Sequence, residues 1–172
     1  MVWAEGEEKK LVAGQDRNEL VPAEALAIWT IPPSPQELQL ALKKVQPRKV
    51  YLFAVTDPIE QSEAFLARLA GLLKNTINHR AGKVSWSELA AATAQRVVTV
   101  RRGLAWLVSQ GKLAIETDDE DTLTVTAGAY SKSQADSASL KAEIQSLMEE
   151  TGAYRNHFKR ADKDALLNSL GE

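Results

Sequence analysis

The chain has 172 residues, 21 Lys and Arg against 23 Asp and Glu, and a formal net charge of −2, and its 44% apolar, 26% charged composition is that of a globular chain able to bury a core without staples. The lack of cysteine excludes a disulfide scaffold, a zinc ribbon and a thiol nucleophile, and fits a reducing compartment. No apolar run approaches the ~18 residues of a membrane helix, and the acidic start MVWAEGEEKK lacks the apolar core of a secretory signal, so a cytoplasmic protein with no membrane contact is expected.

Three stretches follow in chain order: an α/β unit over 1–57, a second unit over 58–128, and a linker with C-terminal helices over 129–172. In the first, VWAEG and KKLVAG predict a hairpin around Gly6–Glu7–Glu8. Ala25 to Ile31 is a short apolar run bounded by prolines, and Lys49 to Val55 is another, rich in β-branched and aromatic residues; both read as buried strands. Between them Leu38, Leu40, Ala41, Leu42 and Val45 recur at near-helical spacing. Ser34 is placed as N-cap, Pro35 takes the first helical position, Glu37 completes a capping box and Pro47 stops the helix. Strand, helix and strand within so few residues make a βαβ unit, with parallel strands and a right-handed crossover over residues 24–56.

In the second unit Phe65, Leu66, Leu69, Leu72, Leu73 and Ile77 form an amphipathic stripe over Ile59 to His79, ended by Gly82. A short extended piece, Lys83–Trp86, leads to a helix capped by Ser87. AQRVV reads as a turn, and Thr99 caps a third helix to Gln110, with Gly111 at C′. LAIET and TLTVT alternate like paired strands around the tip Asp118–Asp121. Helix, strand, helix, turn, helix and ribbon is the winged helix-turn-helix pattern. The predicted fold is thus α/β plus α+β: a small βαβ-containing unit, a winged helix-turn-helix and C-terminal helices. In the third stretch KSQADSAS reads as a linker. Leu140, Ile144, Leu147 and Met148 make a helical stripe broken by Gly152, and Tyr154, Phe158, Ala161, Leu166, Leu167 and Leu170 suggest a further helix or two packing back on the body.

The charge is unevenly placed. Met1 to Leu42 holds seven acidic and three basic residues, whereas Leu66 to Ile115 holds eight basic residues and one acidic, Glu88; Glu116 to Asp121 then packs five carboxylates into six positions. On the third helix Val100, Leu104, Leu107 and Val108 face inward, which turns Arg101, Arg102 and Ala105 outward. With Arg96 in the preceding turn and Arg80 and Lys83 nearby, they form a candidate surface for a polyanion, either nucleic-acid phosphate or an acidic partner. The acidic ribbon tip argues against simple duplex readout. Trp29 and Trp106 read as core or partial core, and Trp86, between Ser85 and Ser87, as the reachable tryptophan.

Other chemistry finds little footing. The PPSP turn has no glycine to bring backbone close to a phosphate. His79 and His157 lie 78 positions apart and read as solvated. The acidic run lacks the glycine and spaced ligands of a calcium loop. No serine sits in a nucleophile elbow.

The stretch LAIWTIPPSPQELQLALKKVQPRKVYLFAV resembles the opening of the C-terminal domain of RecJ, the single-strand-specific DNA exonuclease, in cyanobacterial and related forms. GKVSWSELAAATAQRVVTVRRGLAWLVSQGKLAI resembles the winged-helix-like part that follows, and YSKSQADSASLKAEIQSL its closing region, so the likeness spans roughly residues 20 to 150. RecJ nucleases degrade single-stranded DNA from the 5′ end with Mn²⁺ or Mg²⁺ held by aspartates and a DHH-type motif. That motif is absent here, so no catalytic residue carries over and no cofactor is expected in this chain; the metals belong to the catalytic lobes of the parent enzyme. The resemblance implies a non-catalytic accessory domain. Its expected partners are single-stranded DNA, the single-strand-binding protein with its acidic tail, and the nuclease's own catalytic domains. The alternative is a protein-interaction module that binds that acidic tail without touching nucleic acid.

Overall fold

The structure is a computed structural model and describes residues 1–56, 61–128 and 137–168. In chain order the elements are β1 (Val2–Trp3), α1 (Glu8–Leu11), β2 (Ala25–Thr30), α2 (Pro35–Val45), β3 (Lys49–Val55), α3 (Ser62–His79) and β4 (Lys83–Ser85). They continue with α4 (Trp86–Ala92), α5 (Val97–Ser109), β5 (Leu113–Asp118), β6 (Thr122–Ala127), α6 (Ser137–Arg160) and α7 (Lys163–Asn168). The chain is mixed α/β and divides into two compact units, residues 1–58 with 150–172, and residues 59–149. None of the described helices is long and apolar enough to cross a membrane.

The first unit is built on a parallel sheet of order β1-β2-β3, with Ala25 opposite Lys49, Ala27 opposite Tyr51 and Val2 opposite Ala27. The expected hairpin at the N-terminus is therefore incorrect. Val2–Trp3 pairs parallel with β2, and Glu8–Leu11 is a short helix instead of a return strand. A buried ion pair holds this region. Glu5 is 2% exposed and accepts from the Arg17 guanidinium, whose Nη1 also lies 3.1 Å from Glu37 Oε1. Trp3 Nε1 donates to the same Glu5 carboxylate at 3.0 Å. Two carboxylates flank one guanidinium, which is how a buried charge becomes tolerable. The same contact corrects the capping box: Ser34 Oγ accepts from Glu37 N at 3.3 Å, but the Glu37 side chain turns to Arg17. The core of this unit gathers Trp3, Leu20, Leu26, Ile28, Ile31, Leu38 and Val45 with Phe158 and Leu166 from α6 and α7.

β3 is not the fully buried strand its composition suggests. Lys49, Tyr51 and Phe53 are exposed, alternating with half-buried Val50, Leu52 and Ala54. The other face of the sheet is the one that packs on the core, through Leu26 and Ile28 of β2.

In the second unit β4, β6 and β5 form an antiparallel sheet in that order, with Val84 opposite Leu123 and Ile115 opposite Val125. Phe65, Leu69, Leu73, Leu104 and Leu107 are its fully buried centre, joined by Ile144 and Met148 of α6. Each such side chain contributes about 1.5–3 kcal/mol on leaving water. Gly103 sets the spacing of α3 and α5: a Cβ there would lie 2.7 Å from Leu69 Cδ2 and 2.8 Å from the Phe65 ring. Gly82 does not end α3, which stops at His79; it occupies the turn into β4 at φ 76°, where a Cβ would meet Val125 O at 2.0 Å.

Several predicted boundaries shift. Ser85, not Ser87, caps α4: its Oγ accepts from Glu88 N at 3.0 Å while Glu88 Oε2 accepts from Ser85 N at 3.0 Å. α5 begins at Val97 with Arg96 as its N-cap, so Thr99 lies inside the helix and Val97–Val98 belong to it, not to the turn. Gly152 does not break α6, which runs unbroken from Ser137 to Arg160. The part of the expected linker from Tyr130 to Asp136 lies outside the described residues, and Ser137 to Ser139 begin α6.

Candidate functional site

The five predicted basic residues all lie in the second unit. The helical period places Val100, Gly103, Leu104 and Leu107 of α5 in the core and leaves Arg101 and Arg102 outside. Their side chains are 42% and 50% exposed. Adjacent positions on a helix diverge by about 100°, and the two arginines reach different neighbours.

Arg101 turns towards α4 and the β5–β6 ribbon. Its guanidinium carbon stands 4.3 Å from the centre of the Trp86 ring, a cation–π contact, and Nη1 is 3.8 Å from Asp118 Oδ2. Nη2 donates to Glu120 O at 3.4 Å. Trp86 Nε1 donates to Asp118 Oδ1 at 3.1 Å, so ring, carboxylate and guanidinium form one cluster. Trp86 is only 4% exposed. The expectation that it is the reachable tryptophan is therefore wrong, because Asp118 satisfies its N–H and Arg101 covers its ring.

Arg80, the C-cap of α3, reaches the same short helix: its Nη2 donates to Glu88 Oε1 at 3.1 Å. Partial burial disfavours the Glu88 anion, but the Ser85 N–H and the Arg80 charge outweigh it and hold the carboxyl below the usual range. Lys83 is exposed at the start of β4. Arg80 and Arg101 thus both reach the first turn of α4, and Lys83 lies two residues before its N-cap in the chain.

Arg96 and Arg102 turn instead to α6. Arg96 Nη2 donates to Leu147 O at 2.8 Å, and Arg102 Nε lies 3.0 Å from Glu143 Oε2. Lys141 of the same helix pairs with Glu63 at 2.8 Å and, with the Glu63 and Ser62 hydrogen bonds, holds that carboxyl at about 2. Arg96 is half-buried and acts as a tie between α5 and α6 more than as a surface cation. The four arginines therefore form two groups, each already provided with acceptors, and Lys83 is exposed on β4.

Sequence reasoning missed those acceptors. Asp118 and Glu143 lie 17 and 41 positions beyond their arginines, and no local spacing links them. It also missed a groove of about 590 Å³ in the first unit, lined by Arg48, Lys49, Tyr51, Lys163 and apolar neighbours. The only local trace of that groove is the Arg48–Lys49 pair opening a strand that carries Tyr51 and Phe53. Among the described residues no three His, Cys, Asp or Glu side chains converge as metal ligands.

No protein-family model, no curated protein and no solved structure matches the chain.

Proposed function

We propose that this chain is a non-catalytic accessory module of a RecJ-like single-stranded DNA exonuclease of the cytoplasm. In this reading the cutting machinery, with its Mn²⁺ or Mg²⁺, lies in other domains, and this module holds the single strand or recruits a protein bound to it. Helix α3, strand β4, helices α4 and α5 and the β5–β6 ribbon follow one another in winged helix-turn-helix order, with the strands arranged β4-β6-β5. α5 takes the place of the helix that meets nucleic acid in such modules.

The observation that carries the reading is the outward placement of Arg101 and Arg102 on α5. Their ion pairs are exposed, and exposed pairs are worth about 0–1 kcal/mol each. A phosphate can therefore displace Asp118 or Glu143 at small cost. The acidic ribbon tip beside Arg101 disfavours a second phosphate strand, which favours a single strand over a duplex.

The test is fluorescence anisotropy of a labelled oligo-dT titrated across salt. A single strand releases about 0.7 counterion per phosphate contact, so Arg101→Ala with Arg102→Ala is expected to weaken binding and lower the log–log salt slope by about 1.4. No affinity at low salt, or a slope unchanged in the double variant, overturns the reading.

A second reading is favoured by the carboxylates that already sit on these guanidinium groups. Their positions are those that the side chains of an acidic peptide would take, such as the tail of a single-strand-binding protein. Binding of that tail peptide, abolished in the same double variant and unaccompanied by oligo-dT binding, would select it.

A further inference from the structure

The first unit carries a surface that the α5 reading does not use. β3 is an edge strand of the parallel sheet, and its outward row is Lys49, Tyr51, Phe53. Tyr51 and Phe53 are 53% and 55% exposed. Two small residues of β2, Ala25 and Ala27, stand opposite Lys49 and Tyr51, so the floor beside the rings is low. Phe53 is in turn held by Trp29, with ring centres 5.0 Å apart and planes at 34°. Trp29 is fixed by donating from Nε1 to Glu8 at 2.9 Å. Large rings braced on one side and open on the other are costly to leave in water unless something covers them.

The charge beside this row identifies the occupant. The groove that runs past Tyr51 is lined by Arg48, Lys49 and Lys163, with no carboxylate among its lining residues. Lys163 is positioned by its ammonium, which donates to Val50 O on the strand edge. Cations along one side of an aromatic row are the two components of a sequence-tolerant single-strand site: phosphates on the cations, bases on the rings. An apolar protein partner would match the rings but would leave three cations facing its apolar surface.

We infer that the β3 edge is a single-stranded nucleic-acid platform, on which unpaired bases stack against Tyr51 and Phe53 while their phosphates lie along Arg48, Lys49 and Lys163. The inference shares its ligand class with the proposed function and uses a different surface, so the two can fail separately.

The experiment is oligo-dT anisotropy with the full chain and with Tyr51→Ala/Phe53→Ala, Tyr51→Phe and Arg48→Glu/Lys49→Glu. Each base stacked on an aromatic ring adds to affinity whatever its identity, so the double alanine variant should bind at least about tenfold more weakly with little change of salt slope. Tyr51→Phe keeps the ring and should bind like the parent. Arg48→Glu/Lys49→Glu changes two surface residues only, keeps the test open should the alanine variant misfold, and should lower both affinity and salt slope. An abasic oligomer of equal length should bind the parent chain as weakly as dT binds the double alanine variant.

Equal binding of dT and abasic strands overturns the platform, as does parent-like affinity of a folded double alanine variant. If that variant binds normally while Arg101→Ala/Arg102→Ala does not, the platform falls and the α5 reading stands. The reverse pattern supports the platform against α5. A parent chain that binds no dT at low salt overturns both, and a dimer that Tyr51→Ala/Phe53→Ala converts to monomer would then assign the face to self-association.

Discussion

Tyr154 shows at the residue scale what a buried polar atom does when nothing answers it. Its ring packs edge-on to Phe158, with centres 6.1 Å apart, while its hydroxyl is buried without a hydrogen-bond partner among the described residues. Burial disfavours the phenolate and pushes the group up to about 12 from its usual 10. A folded-state value above the unfolded one gives stability that is complete below the unfolded value and is lost as pH rises towards the folded one. At pH 11 the full shift corresponds to at most about 1.4 kcal/mol, and partial exposure of the ring reduces this to about 1 kcal/mol. Urea unfolding at pH 7 and pH 11 checks it: Tyr154→Phe should remove about that much of the alkaline loss. At pH 7 the variant should be as stable as the parent or up to about 1 kcal/mol more so, since an unsatisfied hydroxyl is removed. The same scale shows which parts of the candidate site could be read in advance. The outward turn of Arg101 and Arg102 follows from the spacing of Val100, Leu104 and Leu107 alone. The burial of Trp86 does not, because its neighbours Ser85 and Ser87 are polar while Asp118, 32 positions away, decides its fate.

Caps and breaks belong to the element scale, and here local chemistry was informative where it was read in full. S-x-x-E occurs at Ser85–Glu88, so the capping-box rule selects Ser85 over Ser87, which has Ala90 three positions on. Both halves of the box are made, and Glu88 is further held by Arg80. Ser85→Ala should cost about 1 kcal/mol of unfolding free energy in the second unit, and Ser87→Ala less than about 0.5 kcal/mol, measured by urea denaturation. Equal losses from the two would remove Ser85 from the cap. At α6 the local signal is outweighed by packing. Glycine inside a helix costs only about 1 kcal/mol relative to alanine, and on one continuous helix Ile144, Met148 and Phe158 are all buried, which outweighs it. Among the described residues no atom beyond its own helix backbone would lie within 4 Å of a Cβ at Gly152, so nothing packs closely enough there to require glycine. From β2 onwards strand and helix types were legible from periodicity, because each element's own residues carry them; Glu8–Leu11, too short to show a period, is a helix where the pattern pointed to a strand. The exposed face of β3 was not, because a row of aromatic residues looks the same in sequence whether or not a layer covers it.

At the scale of the whole molecule the described residues form two hydrophobic cores that share no residue. The core of residues 59–149 is closed largely by contacts within one continuous segment. The other requires Phe158 and Leu166 to join Trp3, Leu26 and Ile28, more than a hundred positions away, a pairing that no local pattern contains. Phe158, 3% exposed, and Leu104, 1% exposed, therefore stand for different cores. Removing either side chain costs about 2–5 kcal/mol, against a typical stability of about 5–15 kcal/mol for a folded domain. Tryptophan fluorescence can follow the cores separately, since Trp3 and Trp29 lie in the first unit and Trp86 and Trp106 in the second. In a chain with Trp86 and Trp106 replaced by Phe, Phe158→Ala should lower the urea midpoint sharply and Leu104→Ala should lower it little. In a chain with Trp3 and Trp29 replaced instead, the order should invert. If each substitution moved both midpoints equally, the two cores would be one cooperative structure, and the assignment of residues 150–172 to the first unit would have no energetic meaning.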